Sequence, residues 1–367
     1  MRIPRDLHPV AWWVWALGLA VGTSFTTNPF LLGLLLGAIT LTVLTCRSDQ
    51  PWARSFRLYV WLGVVLVVVR ILFRVLLGGD VPGHVLFTLP HVELPDWVAG
   101  IDLLGPFTRE ELLASAYEGT RLATLVIAVG AANALANPKR LMKSLPPALY
   151  EIGTAMTVAI NVLPQLADSA VRVRAAQQLR GGAEGRVRGL RRLLVPVLED
   201  AFDRSLALAA GMDARGYGRS GAATPAQRRT TGTLMVAGLL GVVVGVYAVL
   251  DASVPRLLAV LLLAAGTAVA LAGFASAGRR VERTRYRPDR WRPAEVAVAL
   301  SGVATGAGLW ALDRWDVTVA HPDVLGVPAL SPWAVAAVLV AVLPVWVAPP
   351  PLTARSREQA REQVSVP

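Results

Sequence analysis

The chain has 367 residues, of which 54% are hydrophobic and only 17% charged, with a mean hydropathy of +0.52; an ordinary soluble domain carries far more charge. Its net charge of +11 is spread between apolar blocks and not gathered into one basic domain, which sets nucleic-acid binding aside. A single cysteine, Cys46, excludes an intrachain disulfide and a cysteine-built zinc site.

In chain order, Met1 to Val10 is short and basic and is followed by no clear small-residue cleavage site, so a retained first helix is expected. Apolar windows at 10–25, 29–45, 58–77 and 118–136 predict four membrane spans, and those at 232–250, 255–277, 294–312 and 332–348 predict four more. The expected fold is all-α: a polytopic helical membrane bundle of about eight candidate spans, since the backbone must satisfy its own hydrogen bonds in lipid and no period-2 barrel pattern is present. Arg70 and Arg74, one turn apart in the third span, are costly in lipid unless they find partners or snorkel, and the nearby acidic loop favours snorkelling.

Orientation follows from the connections. With eight spans, Arg2 and Arg5, Arg47, Arg54 and Arg57, Lys139, Arg140 and Lys143, the arginines from Arg279 to Arg292, and Arg355, Arg357 and Arg361 all fall on one side. Asp80, Glu93, Asp96 and Asp102, with Asp313, Asp316 and Asp323, fall on the other. Both termini are therefore expected on the cytoplasmic side of a membrane that the chain crosses several times.

The segment 137–231 is far too long for an ordinary connection and reads as two long helices. The first runs from Ala148 to Arg180, with Leu163, Leu166, Ala170, Val173 and Ala176 at three- and four-residue spacing and Pro164 as a point of bending. The second runs from about Arg188 to Arg215, with Leu190, Leu194, Val197, Ala201, Leu208 and Met212 along one stripe. Each ends alike, in Leu179-Arg180-Gly181 and in Ala214-Arg215-Gly216: glycine supplies the left-handed cap, and a cation suits the negative end of the helix dipole. Either ending alone is a common stop signal; two on consecutive helices make a pattern.

That pattern resembles the transmembrane T component of energy-coupling factor (ECF) transporters, the EcfT/CbiQ family that includes the membrane subunit of cobalt-uptake systems. Ala214-Arg215-Gly216 matches the family's Ala-Arg-Gly signature fully, and Leu179-Arg180-Gly181 departs from it at the first position. The resemblance extends to Ala175-Ala176-Gln177-Gln178 and Met212-Asp213, and in looser hydrophobic pattern back to about Asn28.

It implies two long cytoplasmic coupling helices whose arginines enter grooves on two ABC-type ATPase subunits, with Arg180, Gly181, Ala214, Arg215 and Gly216 as the docking residues. It also implies a separate membrane-embedded S component that captures a vitamin or a transition-metal ion. On this reading residues 1–136 are N-terminal membrane helices, 137–231 the coupling-helix region, 232–350 C-terminal membrane helices and 351–367 a cytoplasmic tail.

No enzymatic role and no cofactor are expected. The phosphate-binding loop needs Gly-Lys-Ser/Thr, but Lys139 and Lys143 follow Pro138 and Met142, so ATP hydrolysis is assigned to partner chains. His84 and His91 share a loop with Asp80, Glu93 and Asp96, yet Pro82, Pro90 and Pro95 mark a surface loop where scattered polar residues are ordinary; no metal site is assigned. The alternative is a self-sufficient secondary transporter, which predicts ionisable residues or broken helices near mid-membrane in both halves.

Overall fold

The computed structural model describes residues 5–77, 83–90, 104–179, 186–216, 224–251, 253–279 and 289–351. It comprises two compact units: Met1–Leu141 with Asp289–Pro367, and Met142–Pro288. Each of the eight apolar windows is helical. Among the described residues, six helices are long and apolar enough to cross a membrane, and two apolar helices are shorter. The chain is an all-α polytopic membrane protein.

In the first unit, α1 (Pro9–Thr23) and α2 (Pro29–Cys46) are capped by His8 and Asn28, whose side chains accept the N–H of Val10 and Phe30, with proline in the first turn of each. Helix α3 (Phe56–Leu77) follows a 3-10 turn, and the hairpin of β1 (Val85–Thr88) and β2 (Pro106–Thr108) leads into α4 (Arg109–Leu135). Thr108 and Glu111 close α4 with a capping box. A short α5 (Pro138–Lys143) ends this part.

The unit is completed from the far end of the sequence by α10 (Pro293–Trp315), α11 (Val317–Ala320), α12 (Pro332–Leu339) and α13 (Pro344–Val347). With 15 residues, or about 22 Å, α1 is short for a bilayer, but its Trp15, Ala16 and Leu19 are buried among α4, α10 and the last helices. Where the chain breaks before Pro344, the Ala341 carbonyl accepts the Trp15 indole N–H at 3.2 Å.

Polar residues tie the two ends of this unit. At one end Arg5 holds the buried Glu295 with two hydrogen bonds, at 2.6 and 3.1 Å, while Arg140 reaches the backbone carbonyls of Asp6 and Leu7 and pairs with Asp289. At the other, Asn28 donates to the carbonyls of Val319 and Ala329, and His321 bridges Thr27 and Asp313.

Arg70 and Arg74 do not snorkel alone. Arg70 pairs with Glu118, and Arg74 lies 3.6 Å from the fully buried Glu111, so both are partnered across the α3–α4 seam. Of the loop histidines, His84 is described; His91, Asp80, Glu93 and Asp96 lie outside the described residues, among which no group of metal-ligating side chains occurs.

In the second unit, α6 (Tyr150–Leu179) and α7 (Arg186–Ala214) pack on each other, as do α8 (Pro225–Leu250) and α9 (Arg256–Gly278). Along the α8–α9 seam the backbones nearly touch: a Cβ at Gly241 would stand 2.8 Å from the Cα of Gly266.

Candidate coupling site

Helices α6 and α7 are the long pair expected at 137–231, joined by cross-contacts that run in opposite directions along the sequence. Gln177 donates to the Arg192 carbonyl at 2.6 Å, and Ser169 donates to Asp200 at 2.5 Å. Val158, nearer the start of α6, lines one cavity with Leu208 and Met212, near the end of α7. The helices are antiparallel, so their C-terminal ends point apart. At 1.5 Å per residue, helices of 30 and 29 residues put those ends about 40 Å from each other.

At the end of α7 the chain tightens into a 3-10 turn: the N–H of Arg215 bonds to the carbonyl of Met212 at 3.1 Å, and that of Gly216 to the carbonyl of Asp213 at 2.9 Å. Gly216 adopts φ +76°, the left-handed value glycine takes without strain. The Arg215 side chain is exposed and has no ion pair among the described residues. At the opposite end, α6 closes at Leu179, which is 90% exposed; Arg180 and Gly181 lie outside the described residues.

The packed stripes coincide in part with those expected. Leu166, Ala170 and Val173 of α6, with Val197, Ala201 and Met212 of α7, are partly covered, but Leu163 is 64% exposed, and Leu194 and Leu208 are also exposed. The seam runs through the expected Leu166, Val173 and Val197, and also through Val162, Ser169, Leu193 and Asp200. Apolar period alone passed over Ser169 and Asp200 because one is polar and the other charged. A groove of about 450 Å³ lies between the helices, lined by Val158, Gln165, Leu166, Asp200 and Leu208 among others. A second, of about 330 Å³, joins Leu145, Gly153 and Thr157 to Met212 and Arg215.

Asp200 is the polar pin of this pair, accepting from Ser169, from Arg204 at 2.9 Å and from Arg172 at 3.5 Å. The Ser169 hydroxyl, and after it Arg204, hold its carboxyl below the ordinary 3.8. A carboxylate held low contributes its stability above the unfolded value and loses it as pH falls through the folded one. The clasp is therefore intact at neutral pH and opens only in acid, below about pH 4. Asp200→Asn is expected to speed backbone hydrogen exchange at neutral pH in the middle of α6 and α7 while leaving α1–α4 unchanged. Unchanged exchange across the seam would show that Asp200 does not pin it.

Known proteins resemble this chain in sequence. A family model described as cobalt transport protein (CbiQ) matches residues 1–225, which takes in α1 to α7 and both Arg-Gly tips. The energy-coupling factor transporter transmembrane protein EcfT of Streptococcus equi subsp. equi is 30% identical over 201 residues, 53% of this chain and 71% of that protein. The EcfT proteins of Exiguobacterium sibiricum and Streptococcus thermophilus are 33% and 36% identical over 97 and 74 residues, spanning 36% and 28% of their own lengths. Helices α8 to α13 lie beyond the region the family model matches, apart from the first residue of α8. With the family model covering more than half of the sequence, the chain belongs to the CbiQ/EcfT family and is the transmembrane component of an energy-coupling factor transporter.

Proposed function

We propose that this chain is the coupling scaffold of its transporter: it binds two ABC-type ATPase subunits through Arg180 and Arg215 and passes their motion to a membrane-embedded S component that carries a vitamin or a transition-metal ion. In this reading 137–231 is the cytoplasmic coupling region, 1–136 and 232–350 are membrane helices, and both termini, with the 351–367 tail, are cytoplasmic.

The observation that carries the reading is the exposed Arg215, with no ion pair among the described residues, on a glycine-capped tip about 40 Å from the opposite end of an antiparallel pair. A guanidinium presents a rigid fork of donors, suited to a carboxylate or to backbone carbonyls in a partner's groove. Two tips that point apart suit two sockets better than one. The groove beside Arg215 leaves room for apolar side chains of the socket, and the exposed Leu163, Leu194 and Phe202 offer further surface. When paired ATPases close, a helix pair pinned at Asp200 can carry the movement as a rigid lever.

The test is purification of the tagged chain from its native membrane in mild detergent, as wild type and as the Arg180→Glu, Arg215→Glu double variant. ABC-type ATPases are expected to accompany the wild type and to be lost from a variant that still reaches the membrane. Recovery of ATPases equally with both would remove the arginines from the docking role.

A further inference from the structure

The chain leaves the first unit after Leu141 and re-enters it at Asp289. One guanidinium holds these two connections together. Arg140 sits in the first turn of α5, where Asn137 Oδ1 accepts the N–H groups of Lys139 and Arg140 at 3.0 and 3.3 Å and so fixes the turn. Its Nε and Nη2 both donate to Asp289 Oδ2, at 3.1 and 2.5 Å, and its Nη1 donates to the carbonyls of Asp6 and Leu7, at 2.9 and 3.3 Å. The planar fork thus serves an anion along one edge and two carbonyls from its remaining nitrogen, which the point charge of a lysine would not reproduce.

Each anchor leads directly into a core helix of the first unit. Asn137 and Arg140 follow the end of α4 at Leu135, where Ala131, Ala132 and Ala134 are buried. Asp6 and Leu7 run into α1 through the His8 cap. Asp289 precedes Pro293, the first residue of α10, and Arg5 ties the same end of α10 through Glu295. The flanking cations Lys139 and Lys143 are exposed and have no ion pair among the described residues. A partly exposed ion pair adds little to stability, so the placement of this one at both chain crossings matters more than its strength. Asp289 also lies beyond residue 225, so the clasp uses a residue that the family-matched region does not supply.

We propose that Arg140 is the transmission residue between the coupling helices and the helices of the first unit. It locks the outgoing and returning connections to each other and to the start of α1, so a displacement of the chain between them reaches α1, α4 and α10 together. Without it the two connections move separately. This deepens the coupling reading and rests on it.

The experiment purifies the assembled transporter through a tag on the full chain and follows backbone hydrogen exchange with and without Mg-ATP and vanadate, added to trap the ATPases closed. In the wild type, trapping is expected to change exchange in α6 and α7, and also where α4 ends and where α1 and α10 begin. Arg140→Gln should keep the change in α6 and α7 and lower that in α1 and α10 at least fivefold. Lys139→Gln should match the wild type. A merely stabilising role predicts faster exchange by the same factor with and without nucleotide, leaving the response to trapping intact, and that result would overturn the proposal. If Arg140→Gln fails to assemble, Asp289→Ala, which removes the ion pair and leaves the Asp6 and Leu7 carbonyls to Arg140, decides by the same measure. Absence of ATPases from the purified wild type would sink the coupling reading and this inference with it. A full response in α1 and α10 from Arg140→Gln, with ATPases bound, would sink the inference and leave coupling standing.

Discussion

Arg215→Glu is expected to lower substrate uptake by the assembled transporter on the order of a hundredfold, with the protein still present in the membrane. Truncating or reversing one partner of a desolvated, hydrogen-bonded charge pair costs about 2–5 kcal/mol, and 3 kcal/mol is roughly a hundredfold in occupancy. Arg215→Lys keeps the charge but loses the planar fork and should fall by about tenfold. A purely structural role predicts something different. As a cation at a helix end, Arg215 contributes only about 0.3–1 kcal/mol to the fold, so Arg215→Gln would leave both the helix and uptake nearly unchanged. Gly216→Ala separates the two further, because at φ +76° an alanine strains the cap by about 1–2 kcal/mol without touching the guanidinium. Uptake assays on the four variants, normalised to membrane level, check the prediction; wild-type uptake from Arg215→Glu would sink it.

The sequence was readable where one physical signal dominated. Eight apolar windows became eight helices because bilayer-length hydrophobicity leaves the backbone few alternatives, and the two long helices were legible from their Gly-terminated ends. Arg215 and Gly216 could be picked out because capping chemistry is local. What could not be read depended on which helix meets which. Glu111 and Glu118 drew no notice as partners for Arg74 and Arg70, since the pairs are formed across 37 and 48 residues by an antiparallel seam. The recruitment of α10 to α1 was equally hidden, for nothing in the composition of either helix names the other.

That recruitment yields a second large expected effect. Gly18 and Gly22 on α1 face Gly302 and Gly306 on α10, each pair four residues apart, so that small residues let the two backbones approach. A Cβ at Gly302 would lie 2.4 Å from the Cα and from the carbonyl oxygen of Trp15, and backbone atoms cannot swing aside as a flexible side chain can. Gly302→Leu must therefore part the helices. Overpacking of this kind costs about 1–3 kcal/mol. If the separation also pulls Glu295 from Arg5, a buried carboxylate loses its counter-charge at a further cost of about 3–5 kcal/mol. The detergent-solubilised variant is expected to melt roughly 10 °C or more below wild type, or to aggregate. Gly33→Leu on α2, where a Cβ would meet nothing within 4 Å, is the control and should match wild type. Equal melting of all three proteins would mean that α10 is not seated on α1. The expected loss carries a consequence for the family match, which stops at residue 225: the helix that completes the core around α1 comes from residues 293–315, so the matched region does not close its own core.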